Sequence, residues 1–281
     1  MFLQPRTLQE AVEHLATHGG TLVAGGTDVF PALVDRPPPP RIIDLTHVAE
    51  LKGIRVGPDH IHIGGGTTWT EIIKADLPPA FDGLKAAARE IGSVQIQNRA
   101  TIAGNLCNAS PAADGVPPLL ALDAVVELTN RSGTRRVALG DFILGNRRTA
   151  LASGEILAAV LVPRSFDNAT SAFQKLGARR YLVISIIMVA ATIARRGDGT
   201  VHAARVAVGA ASAVAQRLPA LEARLIGASA ATRLSSLIAA DDLAVLSPID
   251  DVRASAGYRL AAARELVGRA IDIAAGELAD A

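Results

Sequence analysis

Residues 92–118 (GSVQIQNRATIAGNLCNASPAADGVPP) constrain this chain most, because they show neither the helical nor the strand hydrophobic period and yet carry little charge. A solvent-exposed connection of that length would be polar. An ordered aperiodic segment is usually functional, and the remaining elements must be arranged to hold it. Within it, Thr101-Ile102-Ala103-Gly104-Asn105, followed by Asn108, Ser110 and Asp114, gathers small residues, a hydroxyl and amides where a polar ligand could meet several donors and an acceptor. The same residues also suit an Asx-rich loop that satisfies its own backbone.

A second glycine-centred segment, Ala24-Gly25-Gly26-Thr27-Asp28, follows the short strand TLVA and leads into a helix-like apolar stretch. Glycines at such a junction let main-chain N–H groups approach a phosphate with no Cβ in the way, and Thr27 adds a hydroxyl. A tight strand-to-helix turn capped by Asp28 uses the same residues. A third run, Gly64-Gly65-Gly66-Thr67-Thr68, reads as a strand end and helix N-cap beside the site. His60 and His62 share a strand face that reads as solvated, since two histidines are too few for a metal site.

Around these segments the chain reads as mixed helix and sheet. Thr7 and Glu10 form a capping box ahead of Leu8, Val12 and Leu15, predicting a helix that stops at Gly19-Gly20. Pro37 to Pro40 make a stiff extended connector. RIIDL is a strand, IRVGPDHIHIGGG a hairpin about Gly57-Pro58-Asp59, and Thr68 starts a short helix; a second helix covers Leu84 to Ile91. LLALDAVVEL is a buried helix or strand, and Glu155 to Val162 a strand ending at Pro163. From Phe173 a long strand to Arg195 turns at Gly197-Asp198-Gly199 into Val201 to Val208, before three Ala-rich helical stretches, the last from Ser255 to Leu278. A domain boundary falls between Pro163 and Asn168.

The chain has 281 residues, of which 49% are hydrophobic, enough for a large core and more than one domain. With 28 Lys+Arg against 27 Asp+Glu and only 3% aromatics, it has neither the field nor the stacking platform for nucleic acid. The longest apolar run, Tyr181 to Ala194, falls short of the roughly 20 residues of a membrane span, and MFLQPRTLQE lacks the basic start and apolar run of a secretory signal, so export by that route is not expected. The single cysteine, Cys107, excludes an intrachain disulfide and any all-protein Cys-ligated cluster. A cytoplasmic location is expected.

Taken in order, AGGTD at 24–28, IGGGTTWTEI at 63–72 and IGSVQIQNRATIAGNLCNASPAADGVPPLLALDA at 91–124 resemble the FAD-binding medium subunit of the xanthine dehydrogenase and carbon monoxide dehydrogenase (molybdenum hydroxylase) family. The resemblance implies an α+β fold: a two-subdomain FAD module of the vanillyl-alcohol-oxidase (PCMH-like) type over 1–165, divided near 52/53, then a C-terminal flavoprotein domain over 166–281 with a small antiparallel sheet and helices. It implies that Ala24, Gly25, Gly26, Thr27 and Asp28, with Thr101, Ile102, Ala103, Gly104 and Asn105, hold the FAD pyrophosphate and neighbouring groups. Asp114 matches an acidic flavin contact, Ile91 and Leu157 apolar positions near the ring, and Lys175 a positive charge near it. Ala103 stands where a glycine is common in the family. The implied assembly joins a molybdopterin-binding large subunit, a small subunit with two 2Fe–2S clusters and this flavin subunit, doubled into a dimer of heterotrimers. Electrons would pass from the clusters through FAD to an external acceptor, with no catalytic base or metal site on this chain. A stand-alone FAD oxidase of the same fold, which would lack its substrate-capping domain, and a flavin-free assembly subunit are the alternatives.

Overall fold

The computed structural model describes residues 1–229 and 231–276. It opens with β1 (Phe2–Leu3) and α1 (Leu8–His18), whose N-cap Thr7 accepts the Glu10 N–H. The Glu10 carboxylate takes the Arg6 N–H at 2.7 Å instead of that of Thr7, so the reciprocal contact of the expected capping box falls one residue earlier. Helix α1 stops at Gly19, in a positive-φ conformation. Strands β2 (Thr21–Val23) and β3 (Ile42–Asp44) complete a parallel sheet in the order β1-β3-β2. Between them residues 24–36 are bends and turns, not the expected helix-like segment.

The hairpin comes next, as β4 (Ile54–Val56) and β5 (His60–Gly64), and Thr68 caps α2 (Trp69–Lys74) in a complete capping box with Glu71. Helix α3 (Asp82–Glu90) leads into the aperiodic segment, which is built of three short helices: α4 (Val94–Gln97), α5 (Ile102–Asn108) and α6 (Val116–Ala121). Pieces of one or two turns are too short to display a helical period. LLALDAVVEL divides between α6 and β6 (Val125–Asn130), which pairs with β7 (Gly133–Ala138), a charged strand without a readable pattern. Helix α7 (Leu139–Phe142) and the small hairpin β8 (Ile143–Gly145) and β9 (Arg148–Thr149) follow. The buried β10 (Ile156–Pro163) then inserts at the centre of an antiparallel sheet, β4-β5-β10-β6-β7. Seven of its eight residues are buried, which explains its continuous apolar sequence.

The long strand expected from Phe173 to Arg195 is two, β11 (Thr170–Leu176) and β12 (Ile187–Arg195), joined by residues 177–186. With β13 (Val201–Gly209) and β14 (Gln216–Arg217) they form a second antiparallel sheet, β11-β12-β13-β14, packed by α8 (Pro219–Leu225) and α9 (Ala256–Ala274). Among the described residues the only helical element of the middle Ala-rich stretch is a 3-10 turn at Leu234–Leu237, and the expected end of the last helix at Leu278 lies outside the described residues. Among the described residues no helix is long and apolar enough to cross a membrane.

The two antiparallel sheets are not independent. The core around Trp69, Phe81 and Phe142 takes in Ala194 and Ala207 of the second sheet. The Ser171 hydroxyl accepts the Gly83 N–H at 2.8 Å and donates to the Ala80 carbonyl at 2.8 Å. Asp123 receives Arg205 at 2.9 Å and Arg217 at 2.7 Å.

Candidate functional site

Two of the glycine segments meet back to back. A Cβ on Gly25 would lie 1.9 Å from the Arg99 carbonyl oxygen and 2.9 Å from the Ala100 nitrogen, so main chain presses directly on main chain and only glycine fits. Gly26 has φ +72°, and the Phe30 ring closes over it: an added Cβ would sit 2.6 Å from that ring. Among the described residues the N–H groups of Gly25, Gly26, Thr27 and Asp28 donate to no protein acceptor. Four successive open donors on a glycine turn make a concavity suited to an anion. The Asn108 amide donates to the Asp28 carboxylate at 3.1 Å and ties this turn to the second segment.

The second segment is built differently. Thr101 caps α5 by accepting the Gly104 N–H at 3.1 Å, while the N–H groups of Ile102 and Ala103 go to the Thr67 and Gly65 carbonyls at 3.0 Å each. Its main-chain donors at 102–104 are therefore spent inside the protein. What it presents is the bare Cα of Gly104, where an added Cβ would meet only the Thr101 hydroxyl, at 3.0 Å; next to it in the chain, Asn105 Oδ1 is buried without a partner on the Gly115 side. The Gly64–Gly66 run serves as the frame for both. Its N–H groups bond Gly53, Ala158 and Leu51 carbonyls, and a Cβ on Gly65 would lie 2.4 Å from the Leu157 carbonyl. Strand β5 ends at Gly64 and Thr68 caps α2, as expected for a strand end and N-cap. Leu157 is thereby placed under this frame, beside a register shift in β10.

Asp114, Lys175 and Ile91 come together at the seam between the sheets. The Lys175 ammonium donates to Asp114 Oδ2 at 2.7 Å and to the Glu90 carbonyl, next to Ile91, at 3.2 Å. Ser185 Oγ donates to the other Asp114 oxygen at 2.5 Å. Burial pushes the Asp114 carboxyl above its ordinary range, opposed by Lys175. The Lys175 charge is accordingly shared with a carboxylate and is not a free cation. Ser185, fully buried, went unnoticed in the sequence; its signal is a lone hydroxyl interrupting the apolar run YLVISIIM. Burial also pushes the Cys107 thiol up to about 12. That makes it unreactive.

A cavity of about 180 Å³ opens against the first glycine turn, lined by Ala24, Gly25, Leu45, Thr46, Lys52, Gly66, Thr68, Glu71, Asn98, Arg99 and Thr101. A larger one, of about 330 Å³, lies far along the chain between the Leu234–Leu237 turn and α9; of the arginines that line it, Arg233 pairs with Asp272 and Arg269 with Glu265. Among the described residues no three His, Cys, Asp or Glu side chains are placed to hold a metal.

The chain that carries this arrangement, a glycine turn at the end of the parallel sheet packed against the segment that leads into a capped helix, has known counterparts. The family model for the FAD-binding domain of molybdopterin dehydrogenases matches residues 1–165, and that for the C-terminal domain of the CO dehydrogenase flavoprotein matches 171–274. The chain belongs to this family and is an FAD-binding, medium-type subunit of an oxidoreductase. It is 40% identical over 194 residues to the nicotinate dehydrogenase FAD-subunit of Eubacterium barkeri, an alignment spanning 66% of each chain. It is 32% identical over 281 residues to the xanthine dehydrogenase FAD-binding subunit of Escherichia coli O157:H7, covering 97% of this chain and 96% of that one. Carbon monoxide dehydrogenase from Hydrogenophaga pseudoflava, in a form lacking the Mo-pyranopterin moiety, superimposes with a TM-score of 0.90 at 30% identity over 99% of this chain and 98% of that one. The α+β fold with a C-terminal antiparallel sheet, expected from the sequence, is the fold observed.

Proposed function

We propose that this chain holds FAD non-covalently between Ala24–Asp28 and Thr101–Asn105 and relays electrons to an external acceptor from the 2Fe–2S clusters of a small partner subunit, which are in turn reduced by a molybdopterin-binding large subunit. The observation that carries this reading is the row of open N–H groups from Gly25 to Asp28, set beside Gly104 and the orphaned Asn105 oxygen. They fit a diphosphate and its neighbouring hydroxyls. Ile91, Asp114, Leu157 and Lys175 would border the ring. Bound flavin supplies redox chemistry that accepts electrons one at a time and can deliver them singly or in pairs.

The chain's own residues bind and orient. Thr101 fixes α5 by its cap, and the Gly65 carbonyl fixes Ala103, so Gly104 faces the ligand on a rigid element. The Asp114–Lys175 pair presents a nearly neutral dipole instead of a bare cation. In this reading residues 1–165 form the FAD domain and 166–281 the flavoprotein domain, the complex is a dimer of heterotrimers in the cytoplasm, and its substrate is set by the large subunit.

The test is reconstitution. The purified chain loaded with FAD should be reduced by a strong chemical reductant and yet leave candidate substrates (nicotinate-like heterocycles, purines, carbon monoxide, aldehydes) untouched. One cysteine cannot ligate a cluster, so turnover should return only when the iron–sulfur and molybdenum subunits are added. Full turnover by the isolated chain would overthrow the relay and favour a stand-alone oxidase.

A further inference from the structure

Neither glycine segment carries a formal positive charge, and Asp28 adds a negative one to the first, yet a flavin dinucleotide brings two phosphate charges. Lys175 is not available to balance them, being bonded to Asp114. The cavity beside Gly25 holds what the loops lack. Lys52 and Arg99 line it, and among the described residues neither side chain makes a hydrogen bond or ion pair. The Arg99 carbonyl is the very group against which Gly25 is packed, so the root of the guanidinium is fixed next to the open N–H groups.

We propose that Lys52 and Arg99 are the counter-charges for the adenylyl half of the cofactor, gripping its phosphate from the side opposite the glycine N–H groups and making this a dinucleotide site. The inference rests on the FAD reading above and assigns residues that the glycine motifs do not include. Glu71 limits where the phosphates go. Its carboxylate also lines the cavity, with Oε2 taken by the Thr68 N–H and hydroxyl at 2.7 Å each. A second phosphate would be repelled there, whereas ribose hydroxyls could donate to Oε1. The phosphates thus belong at the Gly25 end and the nucleoside at the Glu71 end. FMN, which ends in a single phosphate on the flavin side and lacks the adenylyl half, would leave the part of this cavity bounded by Lys52, Arg99 and Glu71 empty.

The experiment uses the full chain stripped of flavin and titrated with FAD, FMN and ADP-ribose by fluorescence and calorimetry. Wild type should prefer FAD to FMN and bind ADP-ribose. Lys52→Met and Arg99→Met should each weaken FAD and ADP-ribose about tenfold or more, the usual worth of a hydrogen bond to a charged group, and flatten the salt dependence of binding, while FMN affinity stays within about twofold. Lys52→Arg should retain most of the affinity. Both side chains are on exposed residues, so the melting temperature without ligand should not move. FAD affinity unchanged in both Met variants, with wild type still preferring FAD, would overturn the clamp and leave the FAD reading standing. A wild-type chain that binds no FAD would remove both.

Discussion

Substituting alanine at Gly25 separates packing from ligand contact, because the structure assigns opposite consequences to the same methyl group at Gly25 and Gly104. At Gly25 the methyl would lie 1.9 Å from a carbonyl oxygen that belongs to main chain and cannot swing away, so the two segments must part by about 1 Å. Overpacking of a rigid site costs about 1–3 kcal/mol, and with backbone on both sides the upper end applies. For a chain of this size that corresponds to a melting point lower by roughly 6–12 °C. At Gly104 the methyl meets only a threonine hydroxyl at 3.0 Å, on the N-terminal turn of a helix where alanine is favoured over glycine by up to about 1 kcal/mol. Gly104→Ala should therefore melt at or slightly above wild type without flavin, yet bind FAD more weakly, and Gly104→Val should expel it with the fold intact. Gly25→Ala should lose both stability and flavin. Circular-dichroism melts with and without FAD, alongside flavin fluorescence, measure the two effects separately. A Gly25→Ala protein melting within about a degree of wild type and retaining its flavin would refute the packing argument, and a Gly104→Val protein with normal FAD affinity would remove the second segment from the site.

Lys175→Met should destabilise the chain by about 3–5 kcal/mol by leaving Asp114 buried without its counter-ion. Because burial raises the folded-state pKa of Asp114, stability falls as pH rises above the ordinary carboxylate value. With Lys175 gone the fall should steepen, so denaturant melts should place the variant nearer to wild type at pH 5 than at pH 8, and a parallel pair of pH profiles would contradict this. Cys107→Ser should keep fold and flavin, and the native thiol should ignore a disulfide reagent at pH 8 that titrates it fully in denaturant. Mild acid or denaturant should release intact FAD by mass, and a flavin still attached to the unfolded chain would contradict non-covalent binding.

The sequence disclosed what depends on local pattern. Helix α1 with its Thr7 cap, the β4–β5 hairpin, the capped α2 and the fully apolar β10 were all legible from spacing and turn residues. The failures have physical causes. Helices α4 to α6 are each seven residues or fewer and present no period, and β7, six residues with five exposed, carries two arginines and no apolar alternation. The apolar run from Tyr181 hid the connection at 177–186 between β11 and β12, because one hydroxyl, that of Ser185 bonded to a distant aspartate, looks in sequence like a minor blemish in a strand. Both glycine turns were visible as candidates. That one keeps its N–H groups open while the other spends them on the Gly65 and Thr67 carbonyls is decided by residues about 35 positions away, which no local pattern reveals.

The seam at Asp114 has a consequence for how this protein comes into being. Its carboxylate is supplied by the first two-fifths of the chain, while the lysine and serine that satisfy it arrive only at positions 175 and 185. During synthesis the N-terminal part must wait with that group solvated or protonated. The glycine turns and the cavity beside them are built from residues 24–104 and can form early, but the Asp114 seam is closed only after β11 and the start of β12 have left the ribosome. A gene fragment ending at the border between the two matched families would therefore encode a protein with an exposed seam: Gly83 without Ser171, Asp123 without Arg205 and Arg217, Asp114 without its partners. A cut at the border that divides the sequence would thus leave buried polar groups without partners on both sides of the seam.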